Sequence, residues 1–531
     1  MNADSNTAAE SRLWRRARHY LEANLLDAAQ GTLETIVQRT PQDIRARLQL
    51  SAVLLKRGKL RDSNEALLQI AKACPKDVQW VDELVRSLYF TGEIVAAREC
   101  VDQLDILPDL TGPELASQAR LRWLLGEIPE AGRLIECAMA AGADSADDHY
   151  LRGLLLQFTG HIDQADKVFE TSLQRWPNFA DVAVLRSNLR RQTAQANHLD
   201  VLQEQLHRIP ADSADPATRY ARAGFEAALF KELDDLGRHD EAWGALERSN
   251  ALLHALNPYD AAGQTAVVNA LIDASRLIST HKPRAAPAFA GPIPIFIVSM
   301  PRSGSTLLDR MLSSHSQVTS AGELNDFLRQ LRWTADASPL GVSGTVDAIQ
   351  RSPNIDFGEL GARYLKQTQW RAQGRRFYID KAPINVRMVH FIHKALPHAP
   401  ILYITRDPMD VCYSNFKAMF GNSSAYSYDM QTMAHYFGLH QRLTSHWRDN
   451  IPDALLEVSY ASLMRDTEAT LGKVLQHCGL DMEESCLHPE RNADPVATPS
   501  SAQVREPIHT RSIGEWQHYA KQLEPLLRAI G

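Results

Sequence analysis

The sequence predicts an all-α repeat array followed by an α/β domain with a parallel sheet. Three observations carry that expectation. Gly58, Gly92, Gly126 and Gly160 recur at intervals of 34 residues, in stretches that otherwise read as helix. From Ile293 onward, four short apolar runs, IPIFIVSM, FYID, ILYIT and LLEVS, alternate with helical stretches. The first run leads directly into PRSGST, a loop with one Gly and three hydroxyl side chains that opens a helix.

The array comes first. Asn24 holds the glycine position one period before Gly58, and Asn also tolerates a left-handed turn. Five residues after each turn stand Ala29, Ser63, Ala97, Ala131 and Ala165, all small. Nine residues after it stand Leu33, Leu67, Val101, Ile135 and Phe169, all apolar. Pro41, Pro75 and Pro177 end three of the units. Two antiparallel helices need a tight turn, a small residue where their backbones approach, and an apolar residue facing the next unit. The pattern resembles the tetratricopeptide repeat, whose period is also 34 residues. An unrelated bundle would have no reason to keep one period. Gly237 and Ala242 repeat the spacing as a degenerate last unit or cap, and 178–216 reads as helix out of register. Such arrays offer a concave surface to peptides or proteins. A structural use, such as homodimerisation, is equally open at this point. The stretch HKPRAAPAFAGPIP, His281 to Pro294, concentrates prolines and small residues and reads as the boundary between a helical domain, 1–285, and a second domain, 292–531.

Bulk properties narrow the function. The chain has 531 residues, 44% apolar and 23% charged, with a net charge of −7. That balance gives no global basic field for nucleic acid. Six scattered cysteines form no C-x-x-C pair and read as reduced thiols, not a disulfide framework or a metal site. The charged start lacks the apolar run of a signal peptide, and no stretch reaches the length of a membrane span. A cytoplasmic location, with no metal, is the expectation.

In the second half, strands alternating with helices imply a parallel sheet covered on both faces, with ligands at the carboxyl ends of the strands. The polar signals fall there: PRSGST after the first run, KAP after the second, RDP after the third and Tyr460 after the fourth. In the loop, N–H groups of Ser303 to Thr306 would meet an anion at a helix N-terminus, and Gly304 allows close approach. Ser303, Ser305 and Thr306 add hydroxyl donors. The phosphate-loop lysine is missing, and Arg302 supplies a positive charge in its place. The plainer alternative is a Gly-Ser helix cap. Further on, Asp407 caps a helix that Pro408 opens, which leaves Arg406 at the strand end. Ser414 lies about two helical turns later, in reach of the same anion. An ion pair of Arg406 with Asp410 and simple packing of Ser414 are the alternatives.

FIVSMPRSGSTLLDRMLSSH resembles the 5′-phosphosulfate loop of sulfotransferases, and LYITRDPMDVCYSNF resembles their 3′-phosphate motif. The pattern is similar to tyrosylprotein sulfotransferases and bacterial tetratricopeptide-repeat sulfotransferases, from Pro292 to the C-terminus. The resemblance implies the donor 3′-phosphoadenosine 5′-phosphosulfate (PAPS), with 302–306 on the phosphosulfate and Arg406 and Ser414 on the 3′-phosphate. Tyr460 matches a nucleotide-contacting tyrosine, Lys381 a catalytic lysine, and Glu323, after a Gly, the glutamate of the tyrosylprotein enzymes. His315 reads as structural. Sulfuryl transfer then needs cations at the leaving group, Arg302 and Lys381, and a base at the acceptor hydroxyl, Glu323. A phenol with pKa about 10 and a carboxylate near 4 are poorly matched. Proton transfer must therefore accompany bond formation, or burial must raise the carboxylate.

The tail SSAQVREPIHTRSIGEW resembles the family's nucleotide-covering segment, which implies Ser500, Ser501 and Arg505 as donors to the nucleotide. It departs from the pattern at Glu506, where the tyrosylprotein enzymes have lysine. The basic residue expected after Ser414 falls on Ala418, with Lys417 adjacent. The resemblance implies a PAPS-dependent sulfotransferase acting on an acceptor hydroxyl, with a peptide tyrosine guided by the repeats as one option. The alternatives are a non-catalytic repeat scaffold with a degenerate transferase domain, and a P-loop kinase or NTPase.

Overall fold

Helix pairs closed by left-handed turns build the first half, as the glycine spacing requires. The computed structural model describes residues 2–279, 291–498, 501 and 503–531. Helices Asn2–Glu22 and Leu26–Arg39 are joined at Asn24, Ile44–Lys56 and Leu60–Ala71 at Gly58, and Val78–Thr91 and Ile94–Asp102 at Gly92. Gly112–Leu124 and Ile128–Ala140 follow around Gly126, then Ala146–Phe158 and Ile162–Arg175 around Gly160. Every one of these turn residues has positive φ, from 52° at Asn24 to 93° at Gly92, a region glycine enters without a Cβ penalty. The small residues five positions on are fully buried, as are the apolar residues nine positions on, so each pair closes on its own seam and on the next unit. The out-of-register stretch forms Ala180–Asn188 and Leu199–Arg208. Gly237 then joins two longer helices, Pro216–Asp235 and His239–Leu256, over a buried Ala242. Ala261–Ser279 follows, and most of the expected boundary, 280–290, lies outside the described residues.

Among the described residues, five strands form one parallel sheet: β1 Ile293–Ser299, β2 Val318–Ser320, β3 Phe377–Asp380, β4 Ile401–Thr405 and β5 Leu456–Ser459, in the order β2-β3-β1-β4-β5. Sequence periodicity gives four of these and misses β2, which is three residues long and held by its pairing with β3. Alternation along β1 sends Phe296 and Val298 into the core on one face and Ile295 and Ile297 into the core on the other. The connection leaving β1 runs toward β2 and that leaving β4 runs toward β5, on opposite sides. The crevice outside the carboxyl ends of β1 and β4 is therefore the ligand position of such a sheet.

The array is seated on the α/β half. Four successive turns take part, through carbonyls at the helix ends that have no partner within their own helix. Ser338 Oγ donates to the Leu55 carbonyl and Gln330 Nε2 to that of Gly92. Arg371 Nη1 donates to the Leu125 carbonyl and Arg505 Nη2 to that of Phe158. Two cores are shared as well: Phe225, Trp243 and Leu246 join Met409, Phe416 and Tyr519, while Val267, Leu271 and Ile278 join Phe296 and Val298 of β1.

Glu93 is a buried polar contact of this seam. Its carboxylate accepts from Arg363 Nη2 at 2.6 Å, Gln367 Nε2 at 3.0 Å and Asn64 Nδ2 at 3.1 Å. Glu93→Ala takes this acceptor from Arg363 and Gln367, leaves Asn64 with the Thr91 carbonyl alone, and is expected to cost about 3 kcal/mol, read as a lower denaturant midpoint. An unchanged midpoint would mean that the seam is not closed there. No described helix is long and apolar enough to cross a membrane.

Candidate active site

The loop after β1 is fixed from behind. Ser303 Oγ donates to the Met300 carbonyl at 2.8 Å, Asn415 Nδ2 to that of Pro301 at 2.8 Å, and Arg406 Nη1 to that of Arg302 at 3.0 Å. Tyr426, stacked face to face on Tyr436 at 3.7 Å, donates from its OH to Asn415 Oδ1. Arg302 has φ 66°, a conformation that costs a non-glycine residue about 1 kcal/mol. Gly304 follows at φ 100° as the N-cap of helix Ser305–Ser313, whose first-turn N–H groups have no carbonyl to reach within the helix. A Cβ on Gly304 would lie 2.3 Å from the Tyr460 ring, so the glycine lets the loop and Tyr460 meet.

A cleft of about 1190 Å³ opens on this loop, at the carboxyl end of the sheet. Arg302, Gly304, Ser305, Thr306, Glu323, Arg406, Ser414 and Tyr460 line it together; Ser303 is buried behind it. Lys381, after β3, is 0% exposed, and its Nζ lies 2.5 Å from Glu323 Oε1. The Glu323 side chain is 50% exposed. The backbone ties both to the sheet, with Lys381 N–H donating to the Gly322 carbonyl and Ala321 N–H to that of Ile379. Asp407 caps helix Pro408–Phe416 as expected, accepting from Asp410 N–H. Arg406 lies over the Tyr460 ring at 4.8 Å and keeps Asp410 at 3.9 Å. Burial and the neighbouring Arg406 cation hold the Arg302 guanidinium below its usual range.

Two residues expected at the nucleotide sit elsewhere. Ser501 is fully buried and accepts from Gln157 Nε2 at 3.1 Å, and Arg505 is committed to the Phe158 carbonyl beside Gly160. Both dock the tail on a repeat turn, where the Phe158 carbonyl also accepts from Val496 N–H at 2.9 Å. Ser500 lies outside the described residues. His315 is structural, buried and 3.3 Å from Glu483. The cleft also receives Lys417 and the tail residues Glu506, Ser512 and Glu515, and Arg190, Arg191 and Lys231 from the helical half. Sequence spacing could not place these, apart from Lys417 beside the expected basic position. Among the described residues, no cluster of three or more His, Cys, Asp or Glu could hold a metal ion.

Asp309, one turn into the loop helix, is a further buried acid. Its Oδ2 accepts from Ser320 Oγ at 3.0 Å, while Oδ1 has no protein partner. Burial pushes its carboxyl up to about 6, against the pull of Lys381. The folded chain therefore binds this proton more tightly than the unfolded chain. Stability falls as pH rises from about 4 through 6 and stays lower above that. Asp309→Asn should raise stability at pH 7 by about 2–3 kcal/mol, with little difference at pH 4. Chemical denaturation at the two pH values reads this, and an equal effect at both would refute the buried charge.

Residues 294–484 match the model of the sulfotransferase family. An uncharacterized protein of Aquifex aeolicus (strain VF5) is 27% identical over 329 residues, covering 60% of this chain and 42% of that protein. The protein-tyrosine sulfotransferase of Drosophila melanogaster is 25% identical over 241 residues, 42% of this chain and 46% of that one. This chain thus spans less than half the length of either relative. A sulfotransferase domain from the curacin biosynthetic pathway aligns with 45% of this chain and 99% of its own, at 18% identity and TM-score 0.27. The sulfotransferase-family match thus falls in the α/β half, which follows helix pairs repeating at 34 residues.

Proposed function

We propose that the chain transfers a sulfuryl group from PAPS to an acceptor hydroxyl. The observation that supports this most is the meeting of two cationic anion sites and the Glu323 carboxylate in a single cleft, with buried Lys381 against that carboxylate from behind. Arg302 and the first turn of helix Ser305–Ser313 face one anion, and Arg406 with Ser414 faces a second. A phosphosulfate and a 3′-phosphate on one nucleotide satisfy both. Gly304 leaves room for the close approach that the first of them needs.

In this reading, Glu323 takes the acceptor proton as the oxygen attacks, and Lys381 and Arg302 balance the charge that gathers on the leaving phosphate. Half of the Glu323 side chain faces solvent, which favours proton transfer concerted with bond formation. The pair is in contact before the reaction, so Lys381 must turn from the carboxylate to the leaving oxygen. Ala382, Pro383 and Ile384, directly after Lys381, give the same cleft an apolar wall that suits an aromatic ring. A phenol, such as a peptide tyrosine, is the acceptor class this wall favours. The array then acts as a fixed support and partner surface, because its turns are engaged by the α/β half.

Incubation with radiolabelled donor and a panel of tyrosyl peptides, simple phenols, sugars and aliphatic alcohols tests the reading. Label should pass to a phenol with release of 3′-phosphoadenosine 5′-phosphate. Failure to bind any 3′-phosphorylated adenine nucleotide overturns the donor, and label on aliphatic hydroxyls alone overturns the acceptor class.

A further inference from the structure

Glu515 is an anionic group in the cleft that neither the donor nor the acceptor uses. Glu515 belongs to the C-terminal segment that crosses helix Pro408–Phe416, and its Oε1 lies 2.6 Å from Lys417 Nζ. The segment before it is laid along the same side of the cleft. Arg406 Nη2 donates to the Ser512 carbonyl, and the Tyr460 OH and Ser512 Oγ share a hydrogen bond at 2.9 Å. Gly514 N–H donates to both carboxylate oxygens of Asp410, at 2.9 and 3.1 Å. Gly514 has φ 76°, so the chain turns sharply there. Arg406, Tyr460 and Lys417, whose side chains line the anion side of the cleft, are therefore all engaged by residues 512–515 of the same chain.

We propose that this segment is a built-in competitor for the donor's 3′-phosphate, with the Glu515 carboxylate standing where that phosphate draws on Lys417 and Arg406. The inference rests on the donor reading above. Burial alone would raise the Glu515 carboxyl, but Lys417, Arg406 and Arg302 outweigh it and hold the group below the usual range. Glu515 is thus an anion in a cation site. A phosphate entering beside Ser414 meets a like charge, and it binds fully only when Glu515 releases Lys417. The exchange runs both ways: when Glu515 returns to Lys417, it helps the spent nucleotide leave. The segment has a fixed end from which to move. Tyr519 is fully buried, and its OH donates to Asp234 Oδ1 of the helical half at 2.6 Å. A positioning role, in which Glu515 merely aims Lys417 at the phosphate, predicts the opposite sign of effect.

Glu515→Gln in the full chain separates the two, since the amide still accepts from Lys417 but carries no charge. Calorimetry would measure binding of 3′-phosphoadenosine 5′-phosphate, adenosine 5′-phosphate and pyrophosphate, with the melting temperature as the folding control. The variant is expected to bind the 3′-phosphorylated nucleotide about tenfold more tightly, with adenosine 5′-phosphate changed by less than about twofold. Equal or weaker binding of the 3′-phosphorylated nucleotide overturns the competitor while leaving the donor reading intact. If neither protein binds an adenine nucleotide but the variant binds pyrophosphate more tightly, the donor reading falls, the competition for a 3′-phosphate falls with it, and Glu515 opposes some other anion at Lys417. If pyrophosphate is indifferent as well, both fall.

Discussion

Lys381→Met is expected to lower kcat about a thousandfold while leaving the donor KM within a few-fold of the native value. The ammonium is 0% exposed and sits at the end of β3, 2.5 Å from Glu323. In the proposed reaction its charge acts on the oxygen that becomes negative as the sulfur–oxygen bond breaks, an interaction made mainly in the transition state. Methionine matches the length of the lysine stem, so the surrounding core stays filled. Half of the Glu323 side chain reaches water, which spares the fold the cost of a dry, unpaired carboxylate. Melting temperature should therefore move by only a few degrees. Glu323→Gln should also lose most of its turnover. The two changes together should cost far less than the product of the separate losses, because the pair acts as one unit. Single and double variants assayed under saturating donor read this directly. Native turnover in Lys381→Met would remove the lysine from the chemistry, and multiplicative losses would break the coupling.

Much of this site is legible in the sequence because the fold places strand ends at one edge of the sheet. Once IPIFIVSM and ILYIT are read as buried strands, Arg302 and Arg406 follow as neighbours, and the Asp407–Pro408 cap fixes where Ser414 points. The array is legible for a similar reason, since its turns demand positive φ at one fixed period. What is hidden depends on contacts between distant segments. β2 is too short to show a pattern and exists only through β3. Arg505 and Ser501 look like nucleotide donors in the tail, yet the repeat turn at Gly160 offers a carbonyl and a buried amide that engage them. Glu515 and Lys417 are 98 residues apart, and neither residue type announces the other. The last helices of the helical half share two cores with the α/β half, which no local pattern shows, and the expected boundary lies almost wholly outside the described residues.

Gly304→Ala is expected to abolish donor binding and to reduce activity at least a hundredfold, more than a one-carbon change in an exposed loop would normally do. Two independent obstacles act at once. The residue holds φ 100°, which lies outside the ordinary range of an L-residue, and relaxing it moves the first turn of helix Ser305–Ser313 away from the anion. The new methyl also has nowhere to go: its carbon would stand 2.3 Å from one Tyr460 ring atom and 2.6 Å from the next. Tyr460 cannot simply swing aside. Its ring lies under the Arg406 guanidinium at 4.8 Å, and its OH is tied to Ser512. A second substitution separates the obstacles. Tyr460→Ala removes the ring atoms that the methyl meets but leaves the backbone demand in place. If steric contact dominates, Gly304→Ala combined with Tyr460→Ala recovers nucleotide binding relative to Gly304→Ala alone. If the backbone dominates, the double variant remains as poor as the single one. Titration of 3′-phosphoadenosine 5′-phosphate against all three variants distinguishes these outcomes. Native-like binding by Gly304→Ala would refute the anion-cradle role of the loop altogether, because no arrangement of the observed backbone accepts that methyl without displacing either the helix start or Tyr460.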